Sequence, residues 1–367
     1  MAKPLCIGVN ALFLIPGGVG GTEIYLRNLL AAIAEQNRGH QFVVFRNNET
    51  GDDITPAAPG FRTVATGIDA ASRPRRILYE QTGFIREAMA AGIDVMFNPG
   101  FTSPYLLPRP NVTIIHDLQH HRHPEFFKWS DLQAWRFLVW ASARHSSRIL
   151  TVSDASREDI HSVYGVPLSR IHTAEPGVEP EFFTLNRAEE EPLILCVSTL
   201  HPHKNIERLV DAFAAFRPNH PEYKLVLAGM RGFHGEQVER RIAHHRLEQS
   251  VRVTGWIPRT EIMSLYRRAR FAVFPSTFEG FGMPVPEAMA AGLPLITSDL
   301  RPMKDVAGDT ALRFPASDTA ALTAAMERFA NSPADRAAFA EKARRRASAY
   351  TWRRTASLTL DALEAAQ

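Results

Sequence analysis

Short β-branched apolar runs alternate along this chain with longer stretches in which apolar residues recur every three or four positions. The first have the length of buried parallel strands and the second the period of crossover helices, so the alternation predicts an α/β architecture. In the first half, strands are expected at 5–9 (LCIGV), 41–45 (QFVVF), 61–65 (FRTVA), 94–98 (DVMFN), 112–115 (VTII) and 148–152 (RILTV). A helix is expected over 22–36, where Ile24, Leu26, Leu29, Leu30 and Ile33 fall near helical spacing.

From 175 to 192 the periodicity lapses and prolines and acids accumulate, which marks a linker. The pattern then restarts, with strands expected at 193–198, 223–228, 251–255, 271–275, 293–298 and 310–314. Two doubly wound, Rossmann-like parallel-sheet domains follow, 1–180 and 190–352. A C-terminal helix, 353–367, is left over, and in two-domain folds of this kind such a tail often packs back on the first domain. The hexapeptide EAMAAG occurs twice, at Glu87–Gly92 and Glu287–Gly292, each time before a strand. Its shared logic is a small-residue helix closed by glycine, so by itself it marks structure and not a site.

Composition narrows the class. With 367 residues, 45% of them hydrophobic, the chain can fill two cores. The net charge of +3 gives no reason to expect a nucleic-acid partner. Cys6 and Cys196 lie in apolar runs of different domains, which argues against a disulfide and for a reducing compartment. The N-terminal stretch lacks a signal-peptide plan and no window approaches 18 continuous apolar residues, so the expected location is cytoplasmic.

Four segments carry candidate chemistry. In 274–294, a strand end leads through a glycine-containing loop into a helix beginning near Pro284. Ligands of open parallel sheets sit outside the carboxyl ends of strands. There the amides of Gly280, Phe281, Gly282 and Met283 can converge on an anion. Glu279 and Glu287 bracket the loop with seven residues between them, and a carboxylate can accept from two vicinal hydroxyls of a sugar. The second segment, 195–208, is a strand–loop–helix start in which Lys204 can neutralise a departing diphosphate, with Ser198 and Thr199 ahead of it. The third, 15–23, holds Gly18, Gly20 and Gly21 directly after the first strand, placed to approach a phosphate or an acceptor. The fourth, 112–123, brings His116 to a strand end. His116 and His120 have ligand-like spacing, but no Cys or His-Glu-x-x-His plan accompanies them, and no metal is assigned.

Two further features are ambiguous. Aromatics over 126–140 with Arg136, Arg144 and Arg148 fit a helix packed on the sheet, or one lying against the inner membrane surface, and the first is favoured. Arg73, Arg75 and Arg76 around Pro74 form a basic loop that can meet an anionic acceptor or simply be solvated.

The segment around Glu279 and Glu287 resembles the E-x7-E signature of the family-4 retaining glycosyltransferases, and the resemblance continues through 297–309. It implies the GT-B fold of two facing Rossmann-like domains, with a nucleoside-diphosphate sugar as cosubstrate and no resident cofactor. By the same resemblance, Glu279 contacts the transferred sugar and Glu287 the ribose. Lys204 belongs to a phosphate-binding loop, and the glycines at 18, 20 and 21 belong to an acceptor-side loop. His116 corresponds to a histidine that positions donor or acceptor. Ser198-Thr199 stands where many members carry Gly-Arg, which removes one expected cation. No D-x-D triplet occurs, so metal-independent transfer is expected. The His-Asp-Leu strand end and Pro-Glu-Phe-Phe look most like bacterial surface-polysaccharide mannosyltransferases. That implies GDP-mannose as donor and a glycan or lipid-linked glycan as acceptor. Rival readings are a sugar-nucleotide epimerase of the same fold and a non-catalytic, glycosyltransferase-like partner subunit.

Overall fold

Each apolar run expected to be a strand forms one, and the chain adds one that no run announced. The computed structural model describes residues 3–18, 20–187 and 190–367. One unit runs to Gly177 and resumes at Thr351–Gln367, and the other is Val178–Tyr350.

The first unit is built on seven strands, β1 (Cys6–Asn10), β2 (Gln41–Arg46), β3 (Phe61–Ala65), β4 (Val95–Asn98), β5 (Asn111–Ile114), β6 (Arg148–Thr151) and β7 (Ile171–Thr173). They pair in the order β3-β2-β1-β4-β5-β6-β7, and every pairing is parallel. β4 and β5 are buried along their whole length, as strands covered by helices on both faces must be. The unannounced strand is β7. It has three residues, of which only Ile171 is fully buried, so it carries no apolar run to read.

The helix Gly21–Glu35 buries Tyr25, Leu26, Leu29, Leu30 and Ile33, the face its spacing predicts. The helix Trp129–His145 turns Leu132, Leu138, Val139 and Ala141 inward, so it packs on its own unit as favoured. Its outer face nevertheless leaves Trp129, Phe137 and Trp140 exposed by 77, 53 and 44%. The basic stretch is not a loop. Arg73–Glu80 is helical, because Pro74 occupies the first turn, where its missing N–H costs nothing. Arg76 is buried and the Arg73 guanidinium lies 4.7 Å over the Trp135 ring, so neither is simply solvated.

The C-terminal helix Trp352–Glu364 belongs to this first unit. Thr351 caps it by accepting from the Arg354 amide. Arg38 donates to Asp361 at 2.7 Å and Glu364 at 3.1 Å, and Trp352 meets Tyr25 edge-on at 5.5 Å. The backbone of Gly177 passes so near that a Cβ there would sit 2.0 Å from the Trp352 nitrogen.

The second unit has six strands, β8 (Leu193–Val197), β9 (Lys224–Ala228), β10 (Val251–Val253), β11 (Phe271–Phe274), β12 (Leu295–Ser298) and β13 (Leu312–Phe314). They pair in parallel in the order β10-β9-β8-β11-β12-β13 around a core that includes Leu209, Phe213, Leu225, Phe271, Val273 and Phe329. Sequence order reverses between β8 and β11, which makes the loops after these two strands the place for a ligand. Both EAMAAG copies end helices, Gly83–Ala90 and Pro284–Ala290, with Gly92 and Gly292 at φ +72° and +64° as closing residues.

The stretch read as a linker is partly built into the second unit. Pro180–Phe183 forms a helical turn with Phe182 buried, and Glu179 just before it is held by Arg259. Ala188 and Glu189, within the same stretch, and Val19 in the glycine-rich loop lie outside the described residues.

Candidate functional site

In the second unit the loops after β8 and β11 are bound to each other before any ligand is considered. The Thr277 amide donates to the His203 carbonyl at 2.7 Å and the Thr277 hydroxyl to the same oxygen at 3.2 Å. Asn205 donates to the Pro275 carbonyl at 3.0 Å and the Ala316 carbonyl at 2.9 Å. Asn205 stands at φ +56°, a left-handed position that Asn tolerates better than most side chains. The short turn Pro202–Lys204 precedes the helix Ile206–Phe216, so Lys204 stands just ahead of the helix start, as expected.

This stitching brings Lys204 and Glu279 together. Lys204 Nζ lies 2.7 Å from Glu279 Oε1, and the Ser276 hydroxyl donates to the same oxygen at 2.7 Å. Both side chains are partly exposed, 20% for Lys204 and 14% for Glu279. Ser198 and Thr199 follow β8 directly and stay half-buried, with the Ser198 hydroxyl donating to the Thr199 carbonyl at 3.1 Å. In the loop after Glu279, Gly282 is at φ +81°, and a Cβ would stand 2.4 Å from Met303 Cε. Phe281 is buried against Tyr350, with ring centroids 5.7 Å apart, so its ring anchors the loop and only its backbone is available to an anion. Met283 is the residue preceding the helix Pro284–Ala290.

Glu287 stands apart from that pair. It is 3% exposed, and both of its oxygens have donors: Arg259 at 2.6 Å on Oε1 and the Tyr266 hydroxyl at 3.1 Å on Oε2. Arg259 also grips Glu179 through two nitrogens and lies 4.7 Å over the Phe182 ring. Burial lifts the Glu287 carboxyl above the usual carboxylate range, and Arg259 and Tyr266 pull it part of the way back. Burial works against the Arg259 charge, yet Glu287 and Glu179 outweigh it and hold the guanidinium ionised.

Sequence reasoning missed Ser276, Arg259, Tyr266 and Glu179. One signal was available for Arg259. It opens the helix Arg259–Arg268, and a cation at a helix N-terminus opposes the macrodipole unless acids compensate it.

In the first unit, His116 follows β5 and sits on the carboxyl side of the sheet. Its Nε2 donates to the Pro99 carbonyl at 3.0 Å, and burial drives its pKa down to about 4, so the ring is neutral at physiological pH. Tyr25 packs edge-on against it with ring centroids 5.2 Å apart, and Phe101 lies tilted to it at 5.0 Å. His120 is engaged elsewhere, bonding the Tyr164 hydroxyl at 2.8 Å. Among the described residues, no three His, Cys, Asp or Glu side chains gather as a metal site would. In the loop after β1, Gly18 lies in a turn, Gly20 precedes the helix at φ +58° and Gly21 opens it. Glu23, in the first helical turn, accepts from the Gly17 amide at 2.8 Å, which fixes that loop.

Comparison with known proteins assigns the class. The chain resembles sucrose-phosphate synthase from Thermosynechococcus elongatus with a TM-score of 0.79, at 20% identity over 97% of this chain and 98% of that one. It resembles HepE of Anabaena, crystallised with UDP and glucose, with a TM-score of 0.75, at 17% identity over 98% and 100%. Two family models match in succession, Glycosyltransferase Family 4 over residues 19–182 and Glycosyl transferases group 1 over 178–346. The protein is a glycosyltransferase with the GT-B fold. Between them the two models span nearly the whole chain, and it belongs to the family-4 glycosyltransferases. O-antigen chain mannosyltransferase B of Escherichia coli is 27% identical over 280 residues, 73% of each protein.

Proposed function

We propose that the chain moves mannose from GDP-mannose to a hydroxyl of a glycan or lipid-linked glycan during polysaccharide assembly. The anomeric configuration is retained, and neither a metal nor a resident cofactor takes part. The observation that carries this reading is the contact of Lys204 with Glu279 at the strand-order reversal of the second unit. It sets a cation for the leaving diphosphate beside a carboxylate able to accept from sugar hydroxyls. The charge of the diphosphate is met by Lys204 and the amides of the 280–283 loop, which is why no metal is required. The choice of mannose is supported by the name of the Escherichia coli relative.

Glu287 is assigned to the ribose through the acceptor lone pairs that Arg259 and Tyr266 leave unused. His116 is assigned to positioning the donor sugar or the acceptor, and the loop holding Gly18, Gly20 and Gly21 to the donor phosphate or the acceptor. The protein works in the cytoplasm, and the exposed aromatics Trp129, Phe137 and Trp140 rest on the inner membrane surface, where a lipid-linked acceptor is found. Among the described residues, no helix is long and apolar enough to cross a membrane.

A panel of nucleotide sugars tests the reading. GDP-mannose should raise the melting temperature most, because a ligand that binds only the folded state stabilises it. Transfer should continue in EDTA and give an α-linked product by NMR. Formation of an epimer from donor alone, or stabilisation by UDP-sugars only, would overturn it.

A further inference from the structure

His116 is held by a turn whose own backbone is unusual. β4 ends in Asn98, which is fully buried and bonded on both sides: its carbonyl accepts from Asn10 at 3.3 Å and its amide donates to Asn111 at 3.0 Å. Those bonds fix the start of Pro99–Gly100–Phe101 across three strands. At its end, the Phe101 amide donates to the Ile114 carbonyl at 3.1 Å. Gly100 is required by the close approach of Phe13, whose ring would lie 2.4 Å from a Cβ. Phe101 then adopts φ +71°, a left-handed conformation rare for a bulky side chain, and this places its ring against His116 and 5.8 Å from Trp135.

A carbonyl oxygen only accepts, so the 3.0 Å contact with Pro99 requires the proton to sit on Nε2. We propose that Pro99, Gly100 and Phe101 are positioning residues that hold His116 as the neutral Nε2–H tautomer, leaving Nδ1 to accept a hydrogen bond from a substrate hydroxyl. The inference rests on the placement of His116 in the active site made under the proposed function. It goes further in stating what His116 can do there: it receives a hydrogen bond and cannot donate one from Nδ1.

The surroundings favour the neutral form. Tyr25, on the helix Gly21–Glu35, turns its hydroxyl toward the Ala174 carbonyl. Phe101 and Trp135 are uncharged, and Ser156, on the helix Asp154–Tyr164, bonds the His116 carbonyl at 3.0 Å. The neighbouring Asp117 accepts from the Gln119 amide at 3.0 Å. Phe101 acts through its ring, tilted against that of His116 with centroids 5.0 Å apart, which fixes the imidazole plane.

The test uses the full chain labelled with 15N in its histidines, with His116 assigned by the signal lost in His116→Gln. Near neutral pH, the ring should show a protonated Nε2 and a bare Nδ1. A protonated Nδ1, an imidazolium or an even mixture of tautomers overturns the inference. Phe101→Gly keeps the left-handed backbone accessible while deleting the ring. It should stay folded, show mixed tautomers, move the acid limb of the kcat/KM profile upward and cost about tenfold or more in kcat/KM. Affinity for GDP should be unchanged. A wild-type tautomer and pH profile in Phe101→Gly would remove the positioning role. If instead the tautomer is as stated and His116→Gln turns over at full rate, the placement of His116 in the active site fails and the substrate contact with it.

Discussion

Lys204 Nζ and Glu279 Oε1 stand 2.7 Å apart although 75 residues separate them in sequence. The two groups assigned to diphosphate and sugar are therefore aligned in the free protein, and a donor has only to enter between neighbours already in place. Preorganisation of this kind lowers what must be rearranged when charge develops on the leaving group.

Glu279→Gln keeps the shape of the loop and removes the charge. Turnover should fall by about 10²-fold or more, the scale of losing one preorganised electrostatic contact. Nucleotide affinity should stay nearly level. Steady-state rates and calorimetric titration with GDP check both halves, and unchanged turnover ends the sugar-site assignment.

Lys204→Met should weaken both the nucleotide and the transition state, because Ser198-Thr199 supplies no second cation at this edge. A loss of about 1.5–3 kcal/mol in GDP binding is expected for one charged hydrogen bond. Lys204→Arg should recover part of it. Titrations at two salt concentrations separate the local contact from general charge.

Arg259→Met strands two acids, Glu179 and the buried Glu287, without their shared cation. Denaturant unfolding should show a loss of about 3–5 kcal/mol, the scale of breaking a buried ion pair from one side. Glu287→Ala should weaken nucleotide binding by ~1–3 kcal/mol if its remaining lone pairs hold the ribose. An affinity that stays level while stability falls would leave Glu287 as a purely structural partner of Arg259.

Acid should act through His120, which is 1% exposed and whose pKa is driven down to about 3, first by burial and then by His121 and Arg136. Its folded-state value lies below its unfolded value, so the stability it contributes is complete above pH about 6.5 and is lost as pH falls toward 3. The slope from one such group is up to ~1.4 kcal/mol per pH unit. His120→Gln should flatten the fall of melting temperature with pH in that window, and an unaltered slope would refute the assignment.

The strand pattern was legible because buried parallel strands are apolar along their whole length, as in β4 and β11. β7 was not, since three edge residues carry no such signal. Glu279, Lys204 and the loop glycines were visible because their local context is distinctive at the level of neighbouring residues. The environment of Glu287 was not. It depends on Arg259 and Tyr266 of the helix Arg259–Arg268 and on Glu179, from two segments that meet Glu287 only after folding. Pro74 was read as a loop-former, but the same fixed φ that favours a turn also starts a helix. The left-handed Phe101 leaves no trace in sequence, because a phenylalanine there is chosen by its tertiary neighbours and not by its backbone preference.

The second unit is one unbroken stretch, Val178–Tyr350, set between two pieces of the first. In genetic terms it is a cassette within a host, and the host closes only when its last seventeen residues, Thr351–Gln367, return to it. Exchange of this cassette between relatives should therefore use junctions at 177/178 and 350/351, leaving the tail with its own host. A graft that carried a foreign tail would put a stranger in the place of Trp352, against Tyr25 and the histidine that Tyr25 walls in.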